Sequence, residues 1–321
     1  MIATNSIGGY FELELPNGKE YHLNAIRLNT GRNAFEYILK SKDYKKVYLP
    51  FYTCDVMLEP IQKLNIKVEY YSIDETFRPI FDFSIVSNQD VFVYTNYFGI
   101  CDKQVFEVSQ KCNNLIIDNA QAFYSSPIKG VDTFYSPRKF FGISDGAYLY
   151  TDKELVGVLE TDESYRRFSH LLKRMDSSAE MGYADFVSND KSLDNNPIRK
   201  MSNLTSRLLT SINYDEISIK RKENFNFLHA VLSQSNKLKF DINTIEVPMV
   251  YPYWATKELR EKLLEHKVYT AKYWSNVSEW VNNDCLEMKL TEEVIHLPID
   301  QRQTKVELDK IIKIIFHEYS R

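Results

Sequence analysis

The first half of the chain alternates between short apolar runs and amphipathic stretches of helical length. Residues 33–42, NAFEYILKSK, put Ala34, Tyr37 and Ile38 on one helical face, and VYLP at 47–50 follows as a strand. The same alternation repeats in VMLEPIQKL at 56–64 and KVEYYSID at 67–74. DVFVYTNYFG at 90–99 reads as a strand that empties into a loop from Asn96 to Gly99. After EVSQKC at 107–112 comes NLIIDNAQAF at 114–123, a strand pattern carrying an aspartate near its carboxyl end, then VDTFY at 131–135 and GAYLYTD at 146–152. Apolar strands separated by helix-sized intervals predict a mostly parallel sheet covered by helices on both faces, because strands buried on two sides lose the apolar-polar alternation.

The pattern changes after residue 153. Residues 154–175 read as largely helical, whereas 177–197, SSAEMGYADFVSNDKSLDNNP, are Asn/Asp/Ser-rich and weakly periodic, which predicts a long loop or crossover. Residues 203–234 form a charged helical stretch with breaks. VPMVYPY at 247–253 opens a strand-like C-terminal region with a helix at 256–267 and a strand at 292–299. A closing helix at 305–319 puts Leu308, Ile311, Ile312 and Ile315 on one face.

Composition narrows the class. In 321 residues, 44% hydrophobic and 14% aromatic side chains supply a large interior and exclude a disordered chain, and the length suits two or three structural units or one large core with a smaller appendage. Forty basic against 44 acidic residues leave a net charge of −4, with no excess to draw nucleic acid or an anionic membrane. The N-terminus has no cationic segment followed by an apolar one, and no run reaches the ~20 apolar residues of a spanning helix, so the expected location is cytoplasmic. Four dispersed cysteines and six dispersed histidines show neither CxxC nor HExxH spacing, and no metal site is expected.

Three side chains stand out for chemistry: Asp118 at a strand end, Gln121 just beyond it, and Lys139 in SPRKFFG at 136–142. Carboxyl ends of parallel strands gather ligands because loops and helix N-termini converge there. Spacing alone leaves two readings open, a shared pocket or a loop cap beside a solvent-facing lysine.

Taken in order, LNTGRNAFEYIL at 28–39, YLPFYTCDVMLEPIQKLNIKVEYYSID at 48–74, VYTNYFG at 93–99, IIDNAQAF at 116–123 and the lysine segment resemble the DegT/DnrJ/EryC1/StrS family of sugar aminotransferases. Weaker likeness runs through MSNL at 201–204, KRKENF at 220–225 and HLPID at 296–300. The resemblance implies the three-layer α/β/α large domain of the pyridoxal-phosphate-dependent transferases at 1–240 and a small α+β domain at 241–321. It implies pyridoxal 5'-phosphate as cofactor, with Lys139 as the lysine that forms an internal aldimine and then moves protons at the substrate α-carbon. Asp118 resembles the carboxylate paired with the pyridine nitrogen, and Gln121 the residue beside the ring oxygen. Thr30, Gly31 and Arg32 match the phosphate-side loop before the first helix, and Tyr52 the region that supplies an aromatic face over the ring.

Two stretches depart from the family pattern. Ser136 stands only three residues before Lys139, where the family's phosphate-binding serine lies farther upstream. NPIRKMS at 196–202 matches poorly the block that reaches a neighbouring subunit's cofactor: Asn196 stands for its asparagine, and either Arg199 or Lys200 for its arginine. The chain is also shorter than typical relatives, which marks it as a divergent and shortened member with loops lost near the acceptor pocket. The implied function is transfer of an amino group from glutamate to a nucleotide-linked keto-sugar for surface polysaccharide, in a homodimer. The alternatives are another pyridoxal-phosphate reaction such as sugar dehydration, or a non-catalytic cofactor-binding scaffold.

Overall fold

The computed structural model describes residues 7–319. An eight-stranded sheet is built from β1 (Ile26–Leu28), β2 (Lys46–Pro50), β3 (Lys67–Ile73), β4 (Pro79–Ile80), β5 (Asp90–Thr95), β6 (Leu115–Asn119), β7 (Asp132–Tyr135) and β8 (Ala147–Tyr150), in the order β1-β8-β7-β6-β5-β2-β3-β4. The five strands β7, β6, β5, β2 and β3 run parallel, while β8, β1 and β4 pair antiparallel at the margins. Helices α1 (Gly31–Lys42), α2 (Leu58–Lys63) and α3 (Asp102–Ser109) make the crossovers.

The strand pleat sorts the two faces chemically. Val47, Leu49, Val91, Val93, Ile116 and Phe134 pack with Ala34, Phe35 and Ile38 of α1 and Ile61 of α2. Their neighbours in sequence, Tyr48, Phe92, Tyr94, Leu115, Ile117 and Tyr135, enter the opposite, aromatic-rich core with Val105 and Val108 of α3. Two helical layers therefore cover a sheet whose central strands β5 and β6 are buried at every position, as the uninterrupted apolar runs predict.

Beyond β8 come α4 (Ser169–Asp176), α5 (Ala179–Ser192), α6 (Asn203–Leu209) and α7 (Tyr214–Leu232). The C-terminal part pairs β9 (Val250–Trp254) antiparallel with β10 (Val294–Pro298), with α8 (Lys257–Glu265), α9 (Val277–Trp280), α10 (Leu286–Glu293) and α11 (Lys305–Tyr319) around them. In α11, Leu308, Ile311, Ile314 and Ile315 are buried and Ile312 is half-buried.

Two expectations are corrected between residues 154 and 197. The stretch expected to be helical over 154–175 is mainly irregular, and its helix, α4, begins only at Ser169. The stretch expected to be loop contains α5, fourteen residues long. Ser178 caps α5 by accepting a hydrogen bond from the Met181 amide, and Gly182 lets the helix close on α4: a Cβ there would stand 2.7 Å from the His170 carbonyl oxygen. Met181, Tyr183, Phe186 and Val187 remain exposed, so α5 lacks the apolar stripe by which a helix is found in sequence.

Candidate active site

The site residues rise from the carboxyl ends of β2, β5, β6 and β7 and from the start of α1. Asp118, only 7% exposed, ends β6 with its Oδ1 accepting a hydrogen bond of 2.8 Å from the Ala120 amide. Burial raises its pKa, and the Lys139 ammonium and that amide act against the rise. Lys139 lies at the end of a single turn, Pro137–Lys139, that follows β7, with its amide bonded to the Ser136 carbonyl at 3.2 Å. Its side chain is exposed, and among the described residues its ammonium enters no ion pair. The parallel pairing of β6 with β7 thus brings Asp118 and Lys139 into electrostatic contact across twenty residues of sequence.

Gln121 sits in the turn past β6. Its Oε1 accepts from the Phe98 amide at 3.0 Å, while its Nε2 is buried without a hydrogen-bond partner. A buried amide donor left unpaired costs stability, which marks it for an acceptor supplied from outside the chain. On the other side of the site, Gly31 opens α1 close to Ser136: a Cβ at residue 31 would lie 3.8 Å from that of Ser136. Thr30 is the N-cap, its hydroxyl donating to Asn33 Oδ1 at 2.6 Å and accepting from the Asn33 amide at 3.2 Å. Ser136 precedes its own turn without capping it by a side-chain bond. The helix start and this hydroxyl together form a donor-rich corner suited to a phosphate.

Three proposed site residues are engaged elsewhere. The Arg32 guanidinium pairs at 2.6 Å with both Glu59 and Asp194, tying α1 to α2 and to the chain beyond α5. Asn196 donates through Nδ2 to the Ser192 carbonyl at 2.8 Å, and its own carbonyl accepts from Asn33 Nδ2 at 2.9 Å. Within one chain these bonds hold it against α5 and the first turn of α1. Tyr52 is 0% exposed, its ring stacked on Tyr97 at 5.5 Å and edge-on to Trp274 at 5.0 Å. These contacts pack Tyr52 into the aromatic core, with its hydroxyl buried and without a partner.

The loop after β2 instead offers Cys54 on the lysine side. Burial pushes its thiol up to about 11 and the Lys139 charge opposes that shift. Tyr273, between α8 and α9, feels the Cys54 charge in turn, and Asn276 Nδ2 fastens the same C-terminal segment to the Thr53 carbonyl at 3.0 Å. Sequence reasoning passed over Cys54 because it sought an aromatic ring, and over Tyr273 because nothing local links residue 273 to residue 54. A separate cleft of about 660 Å³ opens beside α4 and α5, with Arg166, Arg167, His170 and Asp185 on its walls. None of Asp118, Gln121, Ser136 or Lys139 lines it, so the convergence of chemistry outweighs the size of that cleft.

No protein-family model matches the sequence, and no curated protein matches it either. Solved structures do. The chain is similar to NtdA from Bacillus subtilis with bound cofactor PMP, at TM-score 0.66 and 15% identity over 92% of this chain and 73% of that one. It is similar to the sugar aminotransferase CalS13 from Micromonospora echinospora, at TM-score 0.58 and 15% identity over 91% of this chain and 86% of that one. A DegT DnrJ EryC1 StrS aminotransferase from Brucella abortus matches at TM-score 0.61 and 12% identity, over 92% and 86% of the two chains. At these identities the likeness establishes a shared fold, the mostly parallel sheet between helical layers.

Proposed function

We propose that this chain is a pyridoxal-phosphate-dependent aminotransferase that passes an amino group from glutamate to a keto-sugar carried on a nucleotide, for surface-polysaccharide synthesis. The observation that supports the proposal is the placement of buried Asp118 near the end of β6 beside the turn after parallel β7 that carries unpaired Lys139, whose charge opposes the burial shift of the carboxyl. Pyridoxal phosphate, when bound, supplies an electron sink conjugated to the α-carbon of the amine substrate. The residues fit that group. Asp118 would hold a proton on the ring nitrogen, and its charged form, disfavoured by burial, is the one such a cationic partner restores. Gln121 Nε2, an orphaned donor, would bond the ring oxygen. Ser136 and the opening amides of α1 would hold the phosphate. Lys139 Nζ would attach the cofactor and then carry the proton to and from the substrate carbon, a double duty suited to an amine free of an ion-pair partner.

The division at 1–240 and 241–321, a cytoplasmic setting and a homodimer belong to the same proposal. Leu172, Met175, Met181 and Tyr183, on the adjoining helices α4 and α5, are each exposed, which is compatible with association through this hairpin. Among the described residues no helix is long and apolar enough to cross a membrane.

The test is spectroscopic and chemical. The purified protein is expected to show a visible absorption with added cofactor that Lys139→Ala abolishes, and to release 2-oxoglutarate from glutamate in a half-reaction. A folded protein that forms no such adduct sinks the proposal together with any dehydration variant of it. Adduct formation without a half-reaction on any amino donor leaves the scaffold reading instead.

A further inference from the structure

Arg221, in the middle of α7, is 2% exposed; among the described residues no carboxylate lies within ion-pair distance of it, and the nearby Asp300 charge, already bonded by Arg302, only partly offsets its burial. Its Nε is buried without a partner. A buried cation of this kind costs stability that an apolar side chain of the same length would not, so its placement calls for a reason other than folding energy. Its contacts supply one. Nη2 donates to the Phe140 carbonyl at 3.2 Å, Nη1 donates to the Met249 carbonyl at 2.9 Å, and the guanidinium lies over the Phe140 ring at 4.6 Å. Phe140 is the residue after Lys139. Its carbonyl also accepts from Gln301 Nε2 at 3.0 Å, so both of its lone pairs are engaged.

The bonds continue past Met249. The Met249 amide donates to the Phe98 carbonyl at 2.8 Å, and the Phe98 amide donates to Gln121 Oε1 at 3.0 Å. Phe98 adopts a left-handed backbone at φ 56°. Gly99 follows at φ 68°, where a Cβ would press within 3.0 Å of the Gln121 carbonyl oxygen and 3.1 Å of that of Val247. The crowding fixes the spacing of the three strands of chain that meet there. Arg221 thereby closes a run of hydrogen bonds from the lysine turn, through the segment entering β9, to the glutamine beside Asp118.

We propose that Arg221, assisted by Gln301, is a positioning residue that clamps the Phe140 carbonyl and so fixes the placement of Lys139 relative to Asp118 and Gln121. The inference rests on the reading of Lys139 as the cofactor lysine, and it deepens that reading by tying the lysine turn to the C-terminal part of the chain.

The experiment compares wild type with Arg221→Met, Arg221→Lys and Gln301→Leu. Pyridoxal phosphate is trapped on the protein with borohydride, and incorporation at Lys139 is measured by peptide mapping against exposed Lys289 in the same molecule. Cofactor-free melting temperatures are recorded alongside. Arg221→Met is expected to stay folded and to lower the Lys139-to-Lys289 ratio by up to about 100-fold, the effect of a misplacement of ~1 Å. Arg221→Lys and Gln301→Leu should fall between; in a further variant, Arg221→Ala, which leaves room for the ion, millimolar guanidinium should restore part of the ratio. Folded Arg221 variants with a wild-type ratio overturn the inference. If wild type itself shows no preference for Lys139, the cofactor reading is what fails. The clamp is then read with trinitrobenzenesulfonate on the cofactor-free protein. A changed pH dependence of labelling at Lys139 alone in Arg221→Lys supports it, and an unchanged one refutes it.

Discussion

Asp118 is a buried carboxylate whose charge works against the fold at neutral pH. Its folded pKa lies above the ordinary carboxylate value because burial disfavours the charge, so the folded state binds the proton more tightly than the unfolded chain. Its contribution to stability is therefore greatest at low pH and declines as pH rises from the unfolded value of 3.8 through the raised folded one. Asp118→Asn is accordingly expected to raise the melting temperature of the cofactor-free protein at pH 7 relative to wild type, and to narrow that advantage in acid. The same substitution should reduce the glutamate half-reaction by roughly 100-fold or more, the scale of a lost proton-holding group. A melting temperature at pH 7 that falls would show the carboxylate to be a structural cap held by the Ala120 amide. Cofactor binding should reverse the order, stabilising wild type more than the variant, because only the carboxylate meets a cationic ring nitrogen with charge.

The hairpin of α4 and α5 separates what local sequence encodes from what packing decides. Strands β5 and β6, helix α1 and helix α11 were legible because each carries its burial in its own pattern: continuous apolar runs for the strands, a spaced apolar face for the helices. The position of Asp118 near the carboxyl end of β6 was legible because those runs delimit the strand, whereas the role proposed for Lys139, in the turn after β7, came from the family resemblance and not from pattern. Helix α5 was not, since its apolar residues are exposed and its stability comes from a cap at Ser178, the Asp185 bonds to Ser169 and Lys173, each 2.6 Å, and close contact at Gly182. The enclosure of Tyr52 was hidden for the same reason, because its partners Tyr97 and Trp274 are distant in sequence. Gly182→Ala isolates the contact. Alanine is the better helix former in isolation, yet its Cβ would stand 2.7 Å from the His170 carbonyl oxygen, so backbone must shift. We expect destabilisation by about 1–3 kcal/mol in denaturant unfolding, the usual cost of overpacking. A gain in stability would mean that α4 and α5 are not closely packed.

Of three buried histidines among the described residues, His22, His170 and His296, the two most deeply buried bias the whole molecule most strongly toward neutral pH. His22 bonds the Phe123 carbonyl through Nε2 at 2.8 Å within a cluster of rings that includes Tyr135 and Tyr148, and burial lowers its pKa to about 4. His296, on β10, bonds the Ala271 carbonyl through Nδ1 at 3.0 Å beside Phe98 and Tyr273, and burial lowers its pKa to about 3. In both, the unfolded chain takes up a proton near pH 6.5 that the folded chain refuses until far lower. Their contribution to stability is complete above the unfolded value and is lost as pH falls toward the folded ones, by on the order of a few kcal/mol for each. This slope opposes that of Asp118. Two imidazoles of the same sign act against one carboxylate, and both lose their contribution between pH 6.5 and their folded values, so the histidine slope should dominate between pH 6.5 and 4.5. Unfolding free energy from denaturant titration is expected to drop across that interval, and His296→Gln should flatten the drop without removing it, since His22, and the likewise lowered His170 and His229, remain. His296 also touches Phe98, whose amide holds Gln121, and Tyr273, which lies near Cys54. Local opening around β10 exposes His296 to a proton that the closed form refuses, so acid should favour that opening before global unfolding: cofactor retention at pH 5 should fall ahead of the loss of helical signal in wild type, and the two should coincide in His296→Gln. If the two losses already coincide in wild type, the histidine on β10 is a packing residue with no hold on the site.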